Sequence, residues 1–241
     1  MTRILVLFFG IISYFIAVTG LACIILALAG LLPYGFMSQG RIEGIPPLLW
    51  NFGLVAVWGG IHTVTARPGY KAMLTRFVPE PAERSTYVLI SGLTSVALIG
   101  FWQSVPGMVW QIDATPLVYA LWGLFIFGWV FLLAATFAIN HFDLFGLRQV
   151  YLEFRNQPRP PLAFTKQLMY RYVRHPIQTG VLIGVWATPS MSMTQIALSA
   201  GFTVYIFIGL WFEERDLIAE HGDEYRVYRK EAGLVLPRIG R

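Results

Sequence analysis

One cysteine occurs among the 241 residues, Cys23, and it lies inside an apolar run. A single thiol excludes an internal disulfide and a cysteine-based metal centre. Charge is scarce as well. Asp, Glu, Lys and Arg make up 13% of the chain, against about 25% in soluble domains. That shortfall excludes an ordinary water-soluble core. The four histidines are scattered, with no HExxH spacing, so no metal site is expected. GxGxxG and GxxxxGK[ST] are both missing, which argues against a soluble nucleotide-binding fold. There is no internal repeat and no low-complexity tract.

Long apolar runs fill the space instead. Hydrophobic residues reach 56%, with eight Trp, eleven Tyr and eighteen Phe to serve interfacial belts. A spanning helix needs about 20 mostly apolar residues. Ile4–Leu32, Leu48–Ala66, the shorter Thr86–Trp102, and Pro116–Ile139 each fit. Arg3 and the Ala27-Leu28-Ala29 stretch resemble parts of a signal peptide, but the apolar run is about twice a signal core, so a retained helix is expected. The region Ile177–Phe212 is too long for one helix and too short for two full ones. Thr188-Pro189-Ser190 breaks it, so a tight helical hairpin is expected, Ile177–Thr188 and Thr194–Phe212. A surface helix is expected at His141–Phe154, ending in the extended Pro-rich segment Asn156–Pro161.

Six spans place every basic residue but Arg41 on one face. By the positive-inside rule that face is cytoplasmic, and it carries both termini, the 67–85 loop and the 140–176 segment. The sequence therefore predicts an all-α polytopic integral membrane protein of about six spans, with a C-terminal hairpin and a cytoplasmic pocket. Residues 1–139 form a four-span region and residues 140–241 a catalytic region. The net charge of +5 becomes a topology signal and a contact for anionic lipid, with no nucleic acid required.

The hairpin brings two polar clusters together, 140–180 and 213–229. In Arg174-His175-Pro176-Ile177-Gln178-Thr179-Gly180, Pro176 suits the first helical position and His175 the cap. The freed N–H groups and Arg174 could take an anionic group, and Gly180 could admit another backbone or a flat ligand. The alternative is a plain helix start. Glu213 and Glu214 end the last span and point about 100° apart if the helix continues, so one of them faces the hairpin partner; a solvated stop signal is the alternative. Tyr225, Tyr228 and Arg229 share a helical face, as in an ordinary interfacial helix. His62 lies within the second span, as a functional or a structural histidine. Asn140 or Asp143 could cap the helix that carries His141.

Arg174-His175-Pro176, Gly180, Glu213-Glu214 and Glu224-Tyr225-xx-Tyr228-Arg229 together resemble the isoprenylcysteine carboxyl methyltransferase superfamily. Stretches from His62 to Pro68, Pro79 to Tyr87 and Asn140 to Gln149 make the chain more similar to the bacterial methanethiol S-methyltransferases within it. The resemblance implies S-adenosylmethionine as methyl donor and a small volatile thiol as acceptor, in the bacterial inner membrane. It implies that Arg174, His175 and Pro176 frame the cofactor, with Glu213 or Glu214, Tyr225, Tyr228 and Arg229 beside them. The superfamily often has Tyr two residues after the proline, where this chain has Gln178. That tyrosine's role does not transfer, and an amide contact from Gln178 takes its place. A thiol acceptor must lose its proton, which points to His141 or His175 as base and Arg148 as a thiolate partner. Two other readings remain open: methylation of a larger thiol, lipid or prenylcysteine carboxylate, and a non-enzymatic membrane accessory role like that of the nitric-oxide-reductase accessory proteins.

Overall fold

The computed structural model describes residues 2–32, 44–161 and 164–238. Arg41 and Arg241, used above for topology, lie outside them. In chain order the elements are α1 (Arg3–Leu28), α2 (Pro47–Ala66), α3 (Pro68–Leu74), α4 (Glu83–Gly100), β1 (Met108–Gln111), α5 (Thr115–Ile139), α6 (His141–Leu144), α7 (Leu147–Phe154), α8 (Pro176–Trp186), β2 (Ser190–Ser192) and α9 (Met193–Glu231), with two short 3-10 turns. Among the described residues α1, α2, α5 and α9 are long and apolar enough to cross a membrane, and α8 is a shorter apolar helix. The chain is an integral membrane protein built mostly of helices.

The helical character is as the sequence predicts, with one short two-stranded ribbon that it does not predict. β1 and β2 pair antiparallel, with Met108 opposite Ser192 and Gln111 opposite Ser190. The turn expected at Thr188-Pro189-Ser190 is there, and its far end forms half of this ribbon. Pro189 accepts a bond from the Ile112 N–H. The expected loop 67–85 also contains α3, and the expected surface helix is two helices, α6 and α7. Gly146 divides them with φ 81°, a conformation that glycine adopts without strain.

The chain packs as two compact units interleaved in sequence, Met1–Val105 with Asn140–Leu162, and Pro106–Ile139 with Ala163–Arg241. In the first unit α1 lies along α4. A Cβ on Gly92 would come 2.6 Å from the Ile16 carbonyl, and one on Gly20 would come 2.7 Å from the Gly92 carbonyl. Such small-residue contacts let helix backbones approach where the hydrophobic effect offers no drive in lipid. Polar bonds tie α2 to α4 and to the chain just after it: Trp58 Nε1 donates to Ser95 Oγ at 3.1 Å, and Asn51 pairs with the backbone of Gln103 in both directions.

The second unit repeats the device between α5 and α8. A Cβ on Gly128 would sit 2.7 Å from the Gly184 N, and one on Gly180 would sit 2.6 Å from the Gly128 carbonyl. Ser192 caps α9 in a capping box with Gln195. At about 1.5 Å per residue, the 39 residues of α9 are nearly twice as long as a hydrocarbon core of about 30 Å. The apolar part ends at Phe212, and the helix runs on with a break at Gly222 (φ 57°, ψ −129°). The chain then returns to the start of α8. Arg174 N–H donates to the Gly233 carbonyl at 2.8 Å and His175 N–H to the Leu234 carbonyl at 3.1 Å. Thr179 Oγ1 donates to the Val235 carbonyl at 2.7 Å.

Candidate functional site

The return of the tail closes a polar knot around one carboxylate, Glu214, in the second unit. Its side chain is 10% exposed. Oε1 accepts from Arg174 Nε at 2.9 Å, from His175 Nε2 at 2.8 Å and from Tyr225 OH at 2.6 Å. Oε2 accepts from Arg174 Nη2 at 3.1 Å and pairs with Arg229 Nε at 2.8 Å. The two-point Arg174 contact is the fork geometry that suits guanidinium and carboxylate. Burial pushes the Glu214 carboxyl up, but hydrogen bonds from His175, Arg174 and Tyr225 more than offset it, and the group is held at about 2. Glu214 is therefore an anion at neutral pH and can only accept. It follows that His175 Nε2 carries a proton.

Arg174 is consumed by structure as well as charge. Its Nη1 donates to the Ala232 carbonyl at 2.5 Å and to the Arg229 carbonyl at 3.3 Å. One side chain thus pins α8's entrance, α9's acidic step and the tail. His175 is 4% exposed, with Nδ1 lying 3.6 Å from Glu213 Oε2. Glu213 itself is half-exposed. Only one of the two adjacent carboxylates turns inward, as the 100° step requires. Pro176 occupies the first position of α8 and His175 its cap, without a side-chain cap bond. Gln178 sits half-buried in the first turn.

Tyr225 and Tyr228 do not lie on the outer surface of their helix, as an ordinary interfacial helix would have them. They are 1% and 3% exposed and pack with Phe164, Leu217 and Ile218. Burial pushes the Tyr228 hydroxyl up to about 12, so it stays protonated and donates to the Tyr170 carbonyl at 2.5 Å. Gly180 is filled by helix packing: its α-carbon faces Gly128 and Leu132 of α5. Of the two partners the sequence allowed it, another backbone is the one found, and no ligand fits there.

His141 and Arg148 belong to the first unit. His141 is 3% exposed. Its ring lies 4.7 Å from that of Phe145, and Nε2 is 3.0 Å from Tyr14 OH. Burial pushes its imidazole down, which keeps it neutral at pH 7. Asn140 caps α6 by accepting from Asp143 N–H. Arg148 pairs with Asp143 at 2.8 Å and donates to the Pro160 carbonyl at 2.8 Å, so it anchors the Pro-rich segment. His62 Nδ1 lies 2.9 Å from the Trp58 carbonyl, with its ring against the Trp58 indole.

Sequence reasoning missed Ala232, whose carbonyl takes Arg174, and the Phe164–His221 ring pair at 4.7 Å beside Tyr225. Neither carried a local signal. An open cavity of about 700 Å³ adjoins the knot, lined by Arg174, Arg226, Arg229, Lys230, Leu234 and Arg238 among others.

Comparison with known proteins decides the family. Residues 49–235 match the family described as NnrU protein. A methanethiol S-methyltransferase of Mycobacterium tuberculosis is 46% identical over 187 residues, 78% of this chain and 77% of its own length. The chain belongs to the NnrU family, among the methanethiol S-methyltransferases. The relative of that name from Crocosphaera subtropica is 37% identical over 245 residues, 100% of this chain and 95% of its own. Methanethiol S-methyltransferase 2 of Bradyrhizobium diazoefficiens is 40% identical over 192 residues, 80% of this chain and 74% of its own. No solved structure matches the chain. The region matched by the NnrU family contains every residue of the Glu214 knot.

Proposed function

We propose that this protein transfers a methyl group from S-adenosylmethionine to methanethiol, releasing dimethyl sulfide and S-adenosylhomocysteine. The observation that carries the reading is 37–46% identity, over most of the chain, to proteins named for that activity. The Glu214 knot supports it with a fixed, buried charge pattern at the membrane boundary. S-adenosylmethionine supplies an already activated methyl when bound, because its sulfonium sulfur leaves with the bonding electrons.

The residues fit such a donor. Half-exposed Glu213 beside His175 suits an ammonium or a ribose hydroxyl. The first-turn N–H groups of α8, with Arg174 and Arg229 beside them, suit a carboxylate. Glu214 holds Arg174, His175, Tyr225 and Arg229 in one arrangement, which serves the alignment that methyl transfer needs. Gln178 is assigned an amide contact at the same edge. His175 has Nε2 committed to Glu214, so it acts as a positioning residue. His141, neutral through burial, is the assigned proton acceptor for the thiol. Alkyl thiols titrate near or above about 8.5, so a proton acceptor is needed at pH 7. Arg148 is assigned to order the 156–161 segment through Pro160 rather than to meet the thiolate.

In this reading six spans cross a bacterial inner membrane, both termini are cytoplasmic, and residues 140–241 carry the chemistry. Calorimetry with S-adenosylhomocysteine tests the donor, and headspace dimethyl sulfide from cells given methanethiol tests the acceptor. Absence of binding at millimolar ligand would overturn the enzyme reading and favour an accessory role. Binding without dimethyl sulfide would move the acceptor to a larger thiol, lipid or prenylcysteine carboxylate.

A further inference from the structure

The cavity beside the knot holds three cations, Arg226, Lys230 and Arg238, that the methyl-transfer reading does not use. Five cations line it, Arg174, Arg226, Arg229, Lys230 and Arg238, together with Gly233, Leu234 and Leu236. Two carboxylates pair with those cations, Glu214 with Arg174 and Arg229, and Asp223 with Arg226. Positive charge is therefore in excess. S-adenosylmethionine, whose single carboxylate is outweighed by its sulfonium and its ammonium, does not supply the matching negative charge.

The level of the cavity narrows the ligand. Its polar wall includes Arg174, bonded to Glu214, which lies two residues beyond the end of the apolar run at Phe212. Arg215 stacks on Trp211 at 4.7 Å across that boundary, an aromatic–cation pair of the sort found at the bilayer interface. Its apolar wall reaches into the spanning part: Leu234 packs against the Ile206, Leu210 and Val235 cluster. Leu236 is 73% exposed. A site with cations at headgroup level and leucines toward the hydrocarbon matches a molecule with a phosphate at one end and an acyl chain at the other.

We propose that this cavity binds the headgroup of an anionic phospholipid. Arg226, Lys230 and Arg238 hold the phosphate, and Leu234 and Leu236 meet the first acyl carbons. Arg174 and Arg229 form the inner wall, where Glu214 already holds them. Binding would fasten the 233–238 tail against α8. The proposal is separate from the methyl-transfer reading, since Arg226, Lys230 and Arg238 have no part in the Glu214 knot.

The test uses the full chain in detergent. Native mass spectrometry and thermal unfolding are read with dihexanoyl phosphatidylglycerol, dihexanoyl phosphatidylcholine, or inorganic phosphate added. Phosphatidylglycerol is expected to appear as a bound adduct and to raise the unfolding midpoint; the other two additives should do neither. A cation near an anionic membrane surface contributes about fivefold in affinity, so an Arg226→Ala, Lys230→Ala double variant should bind phosphatidylglycerol about 25-fold more weakly. Its S-adenosylhomocysteine affinity should not change. Equal response to phosphatidylcholine, full response to inorganic phosphate alone, or unchanged lipid binding in the double variant would each overturn the proposal. Failure here leaves the donor-binding result untouched, which keeps the two readings distinguishable.

Discussion

Replacing Glu214 by Gln keeps the side-chain volume and removes the charge at the centre of the knot. The amide has one acceptor oxygen and one donor nitrogen. If the oxygen stays where Oε1 serves Arg174 Nε, His175 and Tyr225, the NH₂ group faces Arg174 Nη2 and Arg229 Nε, two donors. Two charge-assisted hydrogen bonds are then lost, at about 1.5–3 kcal/mol each. The Arg229 side chain is 44% exposed, so its share is reduced toward the surface value of about 0–1 kcal/mol. The Arg174 side chain is 9% exposed and keeps nearly its full share. The expected loss is about 2–4 kcal/mol, in line with breaking one partner of a buried pair.

In thermal unfolding of the detergent-solubilised protein, that loss lowers the midpoint by about 5–15 °C at roughly 2–4 °C per kcal/mol. Calorimetry on the same samples should show weaker S-adenosylhomocysteine binding, because Arg174 and His175 lose the anion that fixes them. Glu214→Asp, which keeps the charge on a shorter stem, should fall between wild type and Gln. An unchanged midpoint together with unchanged affinity in Glu214→Gln would refute the reasoning, since the knot would then hold nothing in place.

The acid limit follows from the same carboxyl. Its folded-state value of about 2 lies below the ordinary 4.5, so its stabilisation is complete above the ordinary value and is lost as pH falls from there toward 2. Unfolding midpoints measured across that window should drop in wild type and drop less in Glu214→Gln. Gly180→Ala places a methyl 2.6 Å from the Gly128 carbonyl and should cost about 1–3 kcal/mol by overpacking, read as a lower midpoint. Gly209→Ala, with open space around it, should be neutral or stabilising by up to about 1 kcal/mol. His141→Ala should cut dimethyl sulfide formation at least about a hundredfold, the low end of the roughly 10²–10⁴-fold contribution of a positioned proton acceptor, while S-adenosylhomocysteine affinity is kept.

What was legible in the sequence had causes close by along the chain. Pro176 announces a helix start, and a 100° step between Glu213 and Glu214 means that one of them turns inward; both follow from local stereochemistry. The meeting of Arg174 with Glu214 followed from topology, because a short hairpin with polar ends brings those ends together. The β1–β2 ribbon was not legible: Met108 pairs with Ser192, far along the chain, and four residues show no alternation of their own. Gly180 was ambiguous for a similar reason, since a missing Cβ can admit a ligand or a helix, and only the position of Gly128 decides. The tyrosines are the most instructive case. Their i, i+3 spacing fits a helix lying at the headgroups equally well, yet both are buried. For Tyr228 the cause is the Tyr170 carbonyl that its hydroxyl serves; for Tyr225 it is Glu214, which at 10% exposure must have donors on every side. Tyr225 OH supplies one at 2.6 Å, and a hydroxyl that serves a buried anion brings its ring inside with it. A buried carboxylate at the end of a span thus determines the fate of a helix face eleven residues later, through hydrogen bonding that no periodicity records.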